Sequence, residues 1–446
     1  MKSNKLNLFP LTMIVIGLVI GMGIFRTAKD AASAAINPTI YFSAWIIGGF
    51  IALCGALTYA EIGSRYPVTG GYYKVFSYAF HPSIAFALNC SILISNAASI
   101  SGVALIGAGY ITKVLIGPDT ANWIKVLIAM GAIFIFYGVN MLGLRMSART
   151  QTILMLIKIG MILLLIMSLF YPAAYDTGIT NVAQQSEIGW KEWISSFGVC
   201  LIAVSFTYGG YQQTINFGND VKDASRNIPR AIFIGIAVII FLYLTVNIAY
   251  YKIVGFENMK TTGEIASVVI GKMFGQNGAS IFSLLLFLSV LAYVNGSLLS
   301  NPRVMYAMSD DGVLPSFLKK KSEKKEVLIT SLTVFAALCI IVLFFADTFE
   351  KILSFSIFLD SFGMCTSAAT IFMLRKKTKH LDGTGIYAMK FFPLQPLVFI
   401  AAYVFVCISI IFNTPVIALT GACVLIGFII LYFLTAGKRR PANTQQ

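Results

Sequence analysis

The chain has little charge and very little acid. Only 11% of its 446 residues are charged, and 18 Asp and Glu face 33 Lys and Arg. Its two histidines, His81 and His380, lie near loop ends in separate segments, so the sequence offers no imidazole cluster for zinc. Seven cysteines fall within apolar stretches without C-x-x-C spacing, which suits small buried hydrophobes and neither disulfides nor metal ligands. No G-x-x-x-x-G-K-[ST] occurs, which argues against a nucleotide-driven pump. No His/Cys/carboxylate cluster marks a membrane enzyme, and the connecting loops are too short to hold a soluble domain. No cofactor and no metal are expected. Apolar residues dominate: 58% are hydrophobic and mean hydropathy is +0.82, too apolar for a soluble protein of this length.

Twelve candidate spans follow from hydropathy, near 9–35, 40–64, 82–114, 122–142, 150–172, 191–217, 230–252, 278–308, 328–346, 350–375, 391–412 and 415–436. The expected fold class is all-α integral membrane, one polytopic domain over 1–446. With the N-terminus in the cytoplasm and loops alternating, most basic residues fall on the cytoplasmic side. They include Lys5, Arg145, Arg149, Lys319–Lys321, Arg375–Lys377 and Lys438–Arg440. The net charge of +15 is thus an orientation signal that leaves both termini cytoplasmic in the cell membrane, and no nucleic acid is implied. Lys2 and Lys5 followed by an apolar run imitate a signal peptide. The run is longer than an h-region and is interrupted by glycines, so no cleavage is expected.

That interruption, Gly17-Leu18-Val19-Ile20-Gly21-Met22-Gly23, is costly in a helix that only crosses lipid, since each Gly costs about 1 kcal/mol against Ala. Glycines permit unwinding, and unwinding frees backbone groups that hydrocarbon cannot satisfy. A small zwitterion or ion is a suitable partner. The sixth span carries a second break, Phe206-Thr207-Tyr208-Gly209-Gly210-Tyr211-Gln212-Gln213. Broken helices at corresponding places in two halves point to a transporter built from inverted repeats. Spans 1–5 (9–172) and 6–10 (191–375) would be the repeats, with spans 11 and 12 (391–436) appended.

Four stretches then carry a family resemblance: Gly21-Met22-Gly23-Ile24-Phe25, Tyr59-Ala60-Glu61-Ile62-Gly63 with Pro67-Val68-Thr69-Gly70-Gly71, Phe206 to Tyr211, and Arg226-Asn227-Ile228-Pro229-Arg230-Ala231. A fifth is Val294-Asn295-Gly296-Ser297 with Arg303 and Gly312-Val313-Leu314-Pro315. The chain resembles the amino acid–polyamine–organocation superfamily, and within it bacterial amino acid permeases related to L-type transporters and serine/threonine exchangers. The resemblance implies a five-plus-five inverted-repeat (LeuT-like) core with helices 1 and 6 broken, plus two C-terminal helices. The implied activity is secondary transport of amino acids by alternating access, with no catalysis.

On this resemblance the substrate carboxylate meets backbone N–H groups of Met22, Gly23 and Ile24 at the positive end of the outer half-helix. The ammonium meets carbonyls of Val19, Phe206 and Gly209. Met22 stands where a small hydroxyl is usual and cannot donate a hydrogen bond. Phe206 resembles an aromatic that closes the site from outside. Gln212, Gln213 and Asn216 prolong the unwound segment and are further candidates, Gln213 foremost.

Two ionisable residues lie inside spans and are functional by default. Lys158 matches a lysine that takes the sodium position of related transporters and contacts spans 1 and 8. It would brace span 1 or titrate. Asp360, in span 10, stands where the family more often has Asn or an apolar residue. It would receive a cationic side chain, carry a proton, pair with Lys158, or cap an unwound stretch. Glu61 and Arg65, four residues apart, read as a structural pair. Neutral amino acids moved by proton symport or exchange are the default function. A cationic amino acid or polyamine carrier is the alternative, and a membrane transferase or channel the remote one. The expected partners are an amino acid, protons and the lipid bilayer. Oligomeric state stays open.

Overall fold

Hydrocarbon offers backbone groups no partner, so an apolar chain of this kind is driven into helices. The computed structural model describes residues 5–21, 23–117, 119–172, 189–322, 325–344 and 349–436. Regular structure among them is helical apart from three isolated β-bridges. In chain order the helices are α1 (Leu8–Val19), α2 (Gly23–Ala34), α3 (Pro38–Arg65), α4 (Gly71–Ala79), α5 (Pro82–Leu115), α6 (Asn122–Met141), α7 (Leu144–Met167) and α8 (Trp190–Tyr208). They continue with α9 (Ala224–Val254), α10 (Phe256–Thr261), α11 (Ile265–Asp310), α12 (Ile329–Leu343), α13 (Phe349–Lys377), α14 (Leu394–Asn413) and α15 (Pro415–Ala436). Nine described helices are long and apolar enough to cross a membrane, and α1 and α12 are shorter apolar ones.

Local chemistry sets several of these boundaries. Asn37 accepts the Ile40 N–H at 2.9 Å and Pro38 follows at the first helical position, so α3 starts with a satisfied cap. The eighth span begins earlier than hydropathy suggests. α11 runs from Ile265 and bends at Gly275 (φ 71°, ψ −171°), beyond which Gln276 and Asn277 dilute the apolar window. The short helices α4 and α10 also escape a hydropathy reading, because each is too brief and too polar to register.

Helix α3 packs on α9 and α8, α1 packs on α9 and α7, and α2 packs on α8. Helix α5 packs against α11, α12, α13 and α15, while α11 also meets α6 and α7. Among the largest fully buried side chains are Trp45, Tyr41, Tyr208 and Tyr243. Helix α15 lies at the edge with only 11% of its apolar window buried, and Cys423 on it is exposed, unlike the expected buried thiol. Leu6 forms a bridge with Val221, Thr69 one with Phe217, and His81 stacks on Phe433 at 6.3 Å. Both ends of the described chain therefore lie on one face, called here the terminal face.

Candidate functional site

The first break is short. Helix α1 stops at Val19, and Ile20 (φ −71°, ψ 82°) is the centre of an inverse γ-turn in which the Gly21 N–H donates to the Val19 carbonyl at 2.7 Å. Helix α2 starts at Gly23, so its first N–H groups have no partner from a preceding turn. Met22 falls outside the described residues.

The second break meets the first. Helix α8 ends at Tyr208, and Gly209 donates its N–H to Phe206 at 3.3 Å. Gly210 follows at φ 117°, its N–H capped by Gln212 Oε1 at 2.8 Å, and a 3-10 helix runs from Tyr211 to Asn216. A Cβ on Gly210 would stand 2.2 Å from the Leu18 carbonyl oxygen, and one on Gly23 would stand 2.8 Å from Thr207 Cγ2. The glycines therefore let two backbones touch as well as unwind. From α9, the Tyr243 hydroxyl lies 3.4 Å from the Val19 carbonyl and 3.5 Å from the Thr207 carbonyl and shares its single proton between them. One side chain thus reaches freed acceptors of both broken helices. Nothing in the sequence distinguishes Tyr243 from the other tyrosines of an apolar span.

Lys158 is fully buried in α7 and donates from Nζ to the Ile20 carbonyl. An ammonium here faces the negative end of the α1 dipole, so charge and freed carbonyl satisfy each other. Among the described residues Lys158 forms no ion pair with Asp360 and no hydrogen bond to span 8. Span 8 is reached instead by Gln151, two turns earlier, whose Oε1 accepts from Asn295 at 2.8 Å.

A cavity of about 130 Å³ lies beside the two breaks. Of the residues singled out from sequence, Val19, Gly23, Phe206, Gly209, Gln213 and Asp360 line it. Ile24 is buried outside the lining and Lys158 sits behind Ile20, so any part of theirs in binding runs through backbone. Phe206 is 39% exposed, which separates it from the packed aromatics of the core. Gln213 Oε1 is buried without a hydrogen-bond partner. Asp360 accepts from the Ser95 hydroxyl at 3.2 and 3.3 Å. Asn216 also lines the cavity, but its side chain is used structurally: Oδ1 accepts the Tyr72 N–H at 2.9 Å and Nδ2 donates to Ser300 at 3.2 Å.

On the terminal face, contacts join the stretch after α8 to α11. Arg303 pairs with Asp220 at 2.7 Å and lies 4.3 Å over the Phe217 ring, while Leu6 and Val221 bridge beside them. Glu61 and Arg65 do pair, at 2.6 Å, yet the pair belongs to a larger network. Glu61 also accepts from Arg375 (2.6 and 2.7 Å) and from the Met389 N–H (2.8 Å), and Arg65 reaches Asp382 at 2.7 Å. This ties α3 to α13 and to the loop after it. Burial, and after it the Asp311 carboxylate, holds the Tyr66 phenol above its ordinary value, so it stays a neutral hydroxyl.

The family model for amino acid permeases matches residues 6–435. The chain is 27% identical over 442 residues to the serine/threonine exchanger SteT of Bacillus subtilis (strain 168), covering 98% of this chain and 97% of that protein. It is 25% identical over 446 residues to the human large neutral amino acids transporter small subunit 2, covering 97% of this chain and 80% of the relative. To the mouse Asc-type amino acid transporter 1 it is 23% identical over 443 residues, with coverage of 97% and 81%.

Proposed function

This chain belongs to the amino acid permease family, and from that premise we propose that it carries amino acids across the cell membrane by alternating access. The observation that carries the reading is the contact of two broken helices beside one cavity, with Gly210 against Leu18. The first N–H groups of α2, from Gly23 and Ile24, suit a carboxylate. The carbonyls of Val19, Phe206 and Gly209 suit an ammonium, Val19 and Phe206 through the lone pair left beside the backbone N–H that each already accepts. These are backbone contacts, so they accept any α-amino acid and leave selection to the side-chain end of the cavity. The contacts on the terminal face and the exposed Phe206 fit a carrier open toward the opposite side.

Helix pairing supports twelve spans arranged as five plus five, with repeats over 9–172 and 191–375. Exchanging span n with span n+5 turns the α1–α9 contact into α8–α3, α5–α13 into α11–α7, and α5–α12 into α11–α6, and all of these pairs pack. An odd number of spans per repeat inverts the second half. The positive-inside distribution supports a cytoplasmic terminal face. The names of the relatives carry over neutral amino acids as the default cargo and exchange as the default mode. Proton symport stands beside exchange through Lys158, whose ammonium braces the first break at the Ile20 carbonyl and holds it less strongly once neutral.

Purified protein in proteoliposomes tests this. Saturable uptake of radiolabelled amino acid, accelerated by unlabelled amino acid inside, is expected. Lys158→Ala is expected to lose the dependence of uptake on a pH gradient while still being stabilised by substrate in thermal unfolding. Absence of saturable uptake for every amino acid tried overturns the carrier. A pH dependence unchanged in Lys158→Ala removes that residue from coupling.

A further inference from the structure

The side-chain end of the cavity has an uneven inventory of polar groups. Among the described residues Asp360 is the only carboxylate in the lining, and no Lys, Arg or His lines it. Lys158 is committed to Ile20. Both carboxylate oxygens of Asp360 depend on one donor, the Ser95 hydroxyl, which can serve only one at a time. Gln213 Oε1 is a second buried acceptor with no donor at all. The cavity thus holds surplus acceptors, and Asp360, when ionised, has no cation beside it among the described residues.

The placement separates Asp360 and Ser95 from the backbone cradle. The cradle belongs to α1, α2 and α8, whereas Asp360 and Ser95 belong to α13 and α5, which pack on each other. Tyr293 lines the cavity between the two sets, with its ring 3.5 Å from the point where a Cβ on Gly21 would stand. A bound zwitterion has one ammonium, which the cradle carbonyls accept. When the cavity closes over a neutral amino acid, Asp360 keeps Ser95 as its donor, which disfavours the ionised carboxylate and forces it to take up a proton. A side-chain ammonium or guanidinium supplies both the missing charge and the missing donors, while an anionic side chain is repelled.

We propose that Asp360, held by Ser95, is the receptor for a cationic substrate side chain, and that the preferred cargo is a dibasic amino acid of the lysine, ornithine or arginine kind. The proposal rests on the carrier reading above and replaces its default neutral cargo.

Uptake and competition in proteoliposomes, with lysine, arginine, glutamine, leucine and glutamate as probes, test it. Wild type is expected to prefer lysine or arginine over glutamine at least ten-fold and to reject glutamate. Asp360→Asn is expected to raise KM for lysine ten-fold or more, and by a much larger factor than KM for glutamine. Ser95→Ala is expected to weaken lysine uptake by a smaller factor, with Asp360→Glu retaining the cationic preference. Thermal unfolding of each ligand-free variant near the wild-type temperature shows that the fold is intact. Wild-type uptake of neutral amino acids without lysine or arginine overturns the proposal and leaves the carrier standing. Equal loss of lysine and glutamine in Asp360→Asn also overturns it, because the carboxylate then serves the common ammonium. Retained lysine preference with loss of pH-gradient dependence assigns Asp360 to the proton and overturns it too. Failure of wild type to take up any amino acid overturns both readings.

Discussion

Gly210 stands where the two broken helices touch, and it satisfies two demands that no other residue type meets there. Its φ of 117° is unfavourable for any residue with a Cβ, and that Cβ would lie 2.2 Å from the Leu18 carbonyl. Gly210→Ala is therefore expected to cost roughly 1–3 kcal/mol of stability and to cut transport at least ten-fold. Thermal unfolding and proteoliposome uptake check this, with Gly21→Ala as the control because its Cβ meets Tyr293 at an ordinary 3.5 Å. Gly23→Val would be a poor probe of the helix dipole, since its side chain collides with Thr207 whatever the ligand does. The glycines were legible in the sequence because they are costly in a plain span. Lys158 and Asp360 were legible because charge inside hydrocarbon is costly. Ser95 and Tyr243 were not, since a serine or tyrosine in a membrane helix is ordinary until its neighbours are known.

At the scale of elements, contacts on the terminal face join the stretch after α8 to α11. Arg303, on α11, is buried, pairs with Asp220 and covers the Phe217 ring, so its loss leaves Asp220 without its cation. Arg303→Ala is expected to leave substrate affinity within about three-fold while lowering turnover about ten-fold, because coupling energies between distant groups run to about 1–3 kcal/mol. Thermal stabilisation by substrate measures the first quantity and initial exchange rate the second. An equal fall in both would place Arg303 in the binding site. Most spans could be read from hydropathy, and their ends could not. The bend at Gly275 and the short helices α4 and α10 depend on local polarity and on packing that no apolar window registers.

The whole molecule brings Leu6 and Phe433 to one face, beside Val221 and His81. With the basic residues on that face, both termini are expected to be cytoplasmic. Tags at the two ends should be protected in intact cells and cleaved together in inverted vesicles. Cleavage of either tag in intact cells would reverse the orientation. The sequence by itself determined a helical membrane protein interrupted in two spans, because hydrocarbon forces backbone pairing and makes each glycine and each buried charge conspicuous. Tertiary structure alone decided where the polar side chains point. It turned Asp360 and Gln213 into the cavity, spent Asn216 on Tyr72 and Ser300, and drew Glu61 into a network with Arg65 and Arg375. Composition records that a polar group is present within a span. Helix phase and the packing of distant helices decide what it faces.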